Sequence, residues 1–369
     1  MRFAETAEQD ELRATVRRLF DSVTVQPLLS VGDPWAGGEP DLEAWSPLAD
    51  IGVLSAGSTS GPALAELVIV FEELGRSSLH LPLLTSVVCG SMPLRQFGGV
   101  QHRELVAAVE NGETRLTSSV IGQPFLDRPL ELDQQGSSLR LSGQANLVLD
   151  AAGSTAIVAL GTDADANGST MVVAPLADTT IQAQKGTDGL ELGRVDFAGV
   201  EISENNVVGQ RGQGQEIWAW VRNRARLCLA ATMLGSSVAA LDLTANYVRE
   251  REQFGKPLAA FQAVSQRAAD SYVDVEGMKL ATWNAVTALE AGREAERSAT
   301  IAAFWASEAG QRVAHSAQHL HGGIGVDISY PVHRHFLNLK QNAMLLGPPS
   351  LLLEEIGELL PEYLAESTT

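Results

Sequence analysis

The chain has 369 residues, of which 45% are hydrophobic, and a formal net charge of -19 at pH 7. This length exceeds one ordinary hydrophobic core and predicts two or three domains. The acidic balance argues against a nucleic-acid binder, which usually presents a basic face. The two cysteines, Cys89 and Cys228, form no CxxC pair, so we predict neither a disulfide framework nor a zinc site.

The first residues, MRFAETAEQDELRATVRRLF, form a charged amphipathic segment that lacks the apolar centre of a signal peptide. No uninterrupted apolar run in the chain approaches the roughly 18 residues that a spanning helix needs. We therefore expect no membrane span, and the cytoplasm is the expected compartment.

Residues 1–111 follow a helical pattern with polar breaks and predict an amino-terminal helical domain. We expect helices over 8–20, 41–54 and 61–78. Pro47 is expected to break the second of them, because proline removes a backbone donor and clashes with the preceding turn.

Residues 112–210 change to short runs rich in β-branched and apolar residues, separated by Gly, Asp and Asn at roughly regular spacing. This pattern is typical of an antiparallel sandwich or barrel and predicts a middle antiparallel β-domain. The turn-forming run GTDADANGS (161–169) predicts the tip of a hairpin.

Helical periodicity returns in residues 211–369 and predicts a carboxy-terminal helical bundle. One long helix should run to about Glu252, where QFGKP breaks it. Further helices are expected over 258–291, 296–320 and 330–345, with a short one near Ser350. The predicted fold class is thus α+β and multi-domain, in the order α, β, α.

The stretch SAQHLHGGIGVDISYPVHRHF (316–336) is rich in histidine and glycine. His315 and His319 share a helix face and could chelate a metal, but no glutamate lies between them as in H-E-x-x-H. The GGIG step could let backbone amides approach a phosphate. It follows a helix rather than a strand, so a glycine C-cap and turn between two helices stays the competing interpretation.

The segment REREQFGKPLAAFQ (249–262) places Arg249, Arg251 and Lys256 close together on an acidic protein, with Phe254 among them. Arginine offers a fork of donors that suits phosphate. A solvated helix end that attracts arginines through the helix dipole explains the same composition. Composition alone does not separate the two.

Together, REREQFGKPLAAFQAV and the later HLHGGIGV…YPVHRHF strongly resemble the paired carboxy-terminal motifs of the acyl-CoA dehydrogenase family. LADIGVL and FEELGRSSLHLPL resemble its amino-terminal domain, and RVDFAGVEISENNVVG its middle domain. The resemblance covers nearly the whole chain. It implies an oligomer with FAD at subunit interfaces and α,β-dehydrogenation of an acyl-CoA thioester, in which a carboxylate removes the α-proton and flavin accepts hydride.

The chain departs from the family where the catalytic base is expected. The usual glutamate position falls on Leu346, and the alternative position on the earlier long helix falls on Ala225, just before Arg226. Neither side chain can take a proton. The segment TSSVIGQPFLDRPLEL (117–132) lacks the flavin-cradling pattern of catalytic members, and a looser alignment places their flavin-facing strand at 147–149.

In the family, a neighbouring subunit supplies the contacts to the pyrophosphate and adenosine end of FAD. The resemblance assigns this trans set to residues that the chain retains, although a histidine stands where the family usually has glutamine before the glycine pair. The expected cofactor-binding residues are Arg251, Gln253, Phe254, His319, Gly322 and Gly323.

The resemblance therefore predicts a non-catalytic subunit that completes the FAD site of a catalytic sister chain, in an α2β2 acyl-CoA dehydrogenase. The segment HLHGGIGVD…YP resembles that of family members from actinobacterial steroid side-chain degradation. This resemblance implies a CoA thioester with a bulky acyl group as the substrate. Two alternatives stay open. One is a self-sufficient flavoenzyme with a displaced base, for which Asp327, Glu354 and Glu355 are the nearest carboxylates. The other is a flavin-free scaffold or acyl-CoA-binding regulator.

Overall fold

The computed structural model describes residues 5–23, 40–59, 61–119, 130–136 and 138–366. The chain divides into two compact units, neither of which is continuous in sequence. One unit, the helical unit, contains the amino-terminal segment, residues 65–79 and the chain from Arg226 onward. The other, the sheet unit, contains residues 37–64 and 80–225. The three-domain division at 1–111, 112–210 and 211–369 stays a prediction.

The described helices are α1 (Ala7–Ser22), α2 (Trp45–Asp50), α3 (Leu64–Ser77), α4 (Met92–Phe97), α5 (Arg103–Glu110), α6 (Gly214–Glu250), α7 (Gln262–Glu290), α8 (Ala295–His321), α9 (Pro331–Leu346) and α10 (Pro349–Glu366). A π-helix covers Leu83–Ser91. These bounds confirm the predicted bundle helices. The last helix is longer than expected, at 18 residues.

The expected helix over 41–54 consists instead of short turns around α2. Pro47 lies in the first turn of α2, where its missing N–H breaks no intrahelical bond. The backbone turns at Gly52, whose φ of 79° suits glycine. The break is therefore at Gly52, and the prediction of a break at Pro47 was wrong.

The described strands are β1 (Leu116–Ser118), β2 (Leu130–Gln135), β3 (Ser138–Leu149), β4 (Ala156–Asp163), β5 (Gly168–Pro175), β6 (Thr180–Lys185), β7 (Glu191–Ile202), β8 (Val207–Val208), β9 (Glu252–Gln253) and β10 (Lys256–Pro257). The large sheet has the order β6-β7-β3-β2-β4-β5-β8, with β1 beside β4. The predicted hairpin tip lies between β4 and β5.

The sheet is mixed rather than purely antiparallel. Both β1 and β2 pair with β4 in parallel, whereas the other pairs of the sheet are antiparallel. The expectation of an all-antiparallel domain was therefore wrong in this detail, because strand spacing along the chain does not specify which strands become neighbours. Alternation in β2 buries Leu130 and Leu132 in a core that also contains Leu139, Val195 and Phe197.

In the helical unit, α3 lies close against α6 at two glycines. A Cβ atom on Gly75 would fall 1.9 Å from the Thr232 carbonyl oxygen, and one on Gly235 would fall 1.8 Å from that of Glu72. Helix α8 packs against α7, α9 and α10. The backbones of α3 and α6 therefore lie in close contact, and α8 packs against three helices. These contacts position α6 and α8, which carry the candidate site.

Within the described residues, one helix, α6, is long and apolar enough to cross a membrane by length and composition. Its most apolar window is 72% buried inside the fold, as for the core helix of a bundle. The expectation from uninterrupted apolar runs was too narrow, because Thr232, Ser236 and Ser237 interrupt the run without making it hydrophilic.

Candidate functional site

The chain after α6 forms a tight hairpin. Helix α6 ends at Glu250, and the Arg251 N–H still donates to the Tyr247 carbonyl at 2.8 Å. Strands β9 and β10 then pair in antiparallel register, with Phe254 and Gly255 between them. Both have positive φ, 53° and 77°, as a two-residue type I′ turn requires. The predicted break at QFGKP is confirmed, and it takes the form of a hairpin.

This hairpin projects its side chains into solvent. The Phe254 ring is 93% exposed and meets only the edge of Phe261, at 6.3 Å between centroids. Arg251 and Gln253 are exposed as well. The Lys256 ammonium lies 4.2 Å from the Phe261 ring centroid. The backbone of Phe254 lies in the left-handed region, which costs a residue other than glycine roughly 1–2 kcal/mol.

The glycine-rich turn at the end of α8 is equally open. Gly322 follows His321 with φ 64° and ψ -138°, and a Cβ atom on Gly322 or Gly323 would meet no heavy atom within 4 Å. Gly325 differs, because its Cβ would fall 2.7 Å from the Gln318 carbonyl oxygen. Gly322 and Gly323 leave the backbone exposed to solvent, whereas Gly325 permits close packing against Gln318.

An aromatic cluster joins the two motifs. The His321 ring stacks on Tyr247 at 4.6 Å between centroids and lies 5.2 Å from Tyr330. Its Nδ1 donates to the Ala317 carbonyl at 2.8 Å, and burial lowers its pKa. Tyr247 was missed in the sequence, although it lies one helical turn before Arg251 and therefore on the same side of α6.

These contacts place the two motifs at one end of the bundle, where α6 and α8 both end. The exposed members form one set that we call the open surface. It comprises Arg251, Gln253, Phe254, His319, Gly322 and Gly323.

The two positions where a base was expected are buried and apolar. Leu346, the last residue of α9, is 5% exposed, and Gly347 follows it with φ 96°. Ala225 is buried on α6. The next residue, Arg226, donates to Thr300 Oγ1 at 3.0 Å and to the Glu355 carboxylate at 2.6 Å.

The segment 117–132, which lacks the flavin-cradling pattern of catalytic members, lies largely outside the described residues, because 120–129 are not described. The looser assignment at 147–149 falls in β3, where the pairing with β7 is irregular between Ala145 and Val148. Leu147 has φ 52° and its N–H donates to Gln184 Oε1 at 2.8 Å.

The histidines of the 315–335 stretch do not converge. His319 is exposed, whereas His335 is buried and its Nδ1 lies within 2.9 Å of Ser78 Oγ and 3.1 Å of Ser236 Oγ. Burial, with the charges of Arg334 and Arg76, lowers the pKa of His335 to about 4. Within the described ranges, no group of three or more His, Cys, Asp or Glu side chains is arranged to hold a metal ion.

Residues 212–360 match the family description "Acyl-CoA dehydrogenase, C-terminal domain". The chain is 34% identical to acyl-CoA dehydrogenase FadE27 of Mycobacterium tuberculosis over 338 residues, which cover 87% of this chain and 89% of that protein. The chain belongs to the acyl-CoA dehydrogenase family.

Two solved structures of acyl-CoA dehydrogenase pairs have the same fold. The ChsE4-ChsE5 complex from Mycobacterium tuberculosis matches with a TM-score of 0.89 and 31% identity, over 98% of this chain and 99% of that chain. The steroid ACAD Tcur3481-Tcur3483 matches with a TM-score of 0.86 and 32% identity, over 97% and 99%. The predicted fold class, with helical segments flanking a central sheet, is thereby confirmed.

Members of the acyl-CoA dehydrogenase family generally bind FAD, and the open surface fits the phosphate end of this cofactor. Arg251 and Gln253 bring charged and neutral N–H donors, and the bare backbone at Gly322 and Gly323 lets a ligand approach where a Cβ atom would stand in its way. Phosphate oxygens are acceptors that such a donor set suits.

Proposed function

We propose that this chain is the non-catalytic subunit of a heteromeric, FAD-dependent acyl-CoA dehydrogenase and contributes the trans half of the FAD site. One observation carries the proposal: the cofactor motifs form an open surface, whereas the two base positions are buried in apolar packing at Leu346 and Ala225. A subunit with this division of residues can hold a cofactor but cannot take the α-proton of a thioester.

On this proposal, the Arg251 guanidinium and the Gln253 amide bind the pyrophosphate of FAD, and the backbone at Gly322 and Gly323 approaches it closely. His319 donates a hydrogen bond in place of the usual glutamine, and Phe254 covers an apolar part of the interface. When bound, FAD supplies the hydride acceptor for dehydrogenation. The catalytic sister chain supplies the base and most contacts to the acyl-CoA.

The alternative of a self-sufficient enzyme with a displaced base has less support. The Glu355 carboxylate already accepts a charge-assisted hydrogen bond from Arg226 at 2.6 Å. Asp327 accepts from the Ser329 N–H and Oγ at 2.9 and 2.7 Å, and these bonds lower its pKa. Glu354 is exposed. Bonds within this chain therefore occupy Glu355 and Asp327, and Glu354 lies in solvent, which is a poor setting for a general base.

The relatives support the partner and substrate that we propose. Two solved relatives are pairs of different chains, and one of them is described as a steroid ACAD. We therefore propose an α2β2 assembly that dehydrogenates a CoA thioester with a bulky acyl group, such as a steroid side chain, in the cytoplasm.

The test is expression of this chain alone and together with a sister chain encoded next to it, followed by the flavin spectrum and a dehydrogenation assay. We expect colourless, inactive protein from this chain alone and yellow, active protein from the pair. Flavin and activity in this chain alone would overturn the proposal. A stable pair without flavin would instead support the scaffold alternative.

A narrower test uses Gly323→Ala in the pair. The added methyl group meets no protein atom and the backbone φ is ordinary, so the fold should tolerate it. We expect FAD to dissociate more readily because the methyl group occupies the approach to the backbone. The matched control is Gly357→Ala, whose Cβ atom also meets nothing within 4 Å and lies on α10 away from both motifs.

A further inference from the structure

A lysine and a histidine meet on the surface of the helical unit, and the histidine lies one turn of α8 before His319 of the open surface. Lys340 on α9 and His315 on α8 bring Nζ and Nε2 to 2.7 Å, and Gln311 Oε1 also accepts from Nζ. The His315 ring stands edge-on to Phe336, at 5.6 Å between centroids. The proposed FAD role uses none of these side chains.

The pair is arranged as an amine beside a base. Because Nζ donates, His315 Nε2 carries the lone pair, and the imidazole is the neutral Nδ1–H tautomer. Burial, and then the charge of Lys340, lower the pKa of His315, so it stays neutral near pH 7. Burial also lowers the pKa of Lys340, which increases the share of free amine.

The pair lies at the surface, because His315 is exposed and Lys340 is half-buried. An open groove of about 420 Å³ between α7 and α8 lies beside it and is lined by His315 and Gln311 but not by Lys340. The groove is lined by three carboxylates, of Asp270, Asp274 and Glu308, and by two guanidiniums, of Arg267 and Arg312. Arg312 binds Asp274 through two bonds, of 2.9 and 2.6 Å, and Glu308 at 2.7 Å.

We propose that Lys340 is a site of N-acylation by acyl-CoA thioesters, with His315 as the general base. The Nζ lone pair attacks the thioester carbonyl carbon, and a C–N bond forms. Nζ gives up a proton to His315 Nε2 at this step. The C–S bond then breaks, and the CoA thiolate leaves and takes a proton, so the products are an amide on Lys340 and free CoA thiol.

This inference goes beyond the proposed function and does not depend on it, because it requires only that a thioester be present. It converts a cation into a neutral amide, which can no longer donate to both Gln311 and His315 as the ammonium does. The contact between α8 and α9 changes accordingly.

The chain itself supplies the controls, since lysine occurs at four positions. The other three, Lys185, Lys256 and Lys279, are exposed and serve as reference sites. The full chain, alone and with its sister subunit, is incubated with acetyl-CoA, and acetyl occupancy at each lysine is followed by peptide mass spectrometry. We expect Lys340 to acquire the acetyl group roughly tenfold or more faster than the reference lysines, as for a positioned general base.

The variant His315→Gln keeps an acceptor for Nζ but removes the base. We expect its Lys340 rate to fall to that of the reference lysines, while their own rates stay unchanged. Equal rates at all four lysines in the unaltered chain would overturn the proposal without any variant. An undiminished Lys340 rate in folded His315→Gln would overturn the role of His315. Thermal unfolding of the variant checks that it is folded.

Discussion

The open surface and the environment of Leu346 are two regions of the helical unit that differ in their exposure to solvent. The open surface keeps three neighbouring side chains exposed, those of Arg251, Gln253 and Phe254. The Phe254 ring buries little apolar area in the isolated chain, and its backbone has a positive φ. Leu346 is buried and contributes only apolar packing. On the proposed function, this contrast separates side chains that bind a cofactor from a position without a base, as expected of a subunit that completes the site of another chain.

The largest expected effect comes from Leu346→Glu, which places a carboxyl group at the position that the family resemblance assigns to the base. Burial should raise the pKa of this carboxyl group by several units and destabilise the fold by about 4 kcal/mol. We expect lower denaturant midpoints and no dehydrogenation by this chain alone. Leu346→Met is the control and should cost less than about 1.5 kcal/mol. A stable, active Leu346→Glu chain would erase the contrast.

His335 extends the comparison to histidines, because it is buried while His319 is exposed. Its folded-state pKa, about 4, lies below the ordinary 6.5, so the unfolded chain takes up the proton first. The contribution of neutral, buried His335 to the free energy of unfolding is fully present above pH 6.5. This contribution, about 3 kcal/mol in total, is lost as pH falls toward 4.

This loss is measured as the free energy of unfolding at a series of pH values between 6.5 and 4. The variant His335→Gln should lack this part of the pH dependence, and His319→Gln should retain it. Equal pH dependence in all three proteins would contradict the buried, neutral state of His335.

Arg251→Ala tests the open surface directly. In the pair with the sister chain, we expect the loss of one charge-assisted phosphate contact, worth about 2 kcal/mol in FAD binding or roughly a 30-fold weaker Kd. FAD release measured by fluorescence gives the change. Arg293→Ala, another exposed arginine, is the matched control and should leave FAD affinity unaltered. Unchanged affinity in Arg251→Ala would remove the arginine from the site.

The smallest effect is expected at Phe254, where function and stability should move in opposite directions. Phe254→Gly relieves a φ of 53° and should stabilise the chain by about 1 kcal/mol. The same change removes the exposed ring and should weaken the pair of subunits. Thermal unfolding of the chain alone and the dissociation constant of the pair measure both effects. Loss of stability in both assays would mean that the ring belongs to the fold of this chain.

Much of the helical unit could be predicted because long helices are specified by local periodicity. The end of α6 at Glu250 was expected near Glu252, and α8 ends at His321 as the glycines predict. The hairpin after α6 could not be predicted, since phenylalanine rarely adopts the positive φ of a type I′ turn. Parallel pairing of β1 and β2 with β4 was missed for another reason, because it joins strands that are distant in sequence.

The sequence alone determined the α, β, α order of the segments and most of the long helices. The cofactor motifs and the two base positions at Leu346 and Ala225 stay predictions from the family resemblance. Only the tertiary structure decided which residues of the histidine-rich stretch are buried. His321 stacks on Tyr247 and His335 lies between Ser78 and Ser236, whereas His319 faces solvent. The physical reason is that burial depends on which side of a helix packs against a distant segment, and residue identity at a single position does not carry that information.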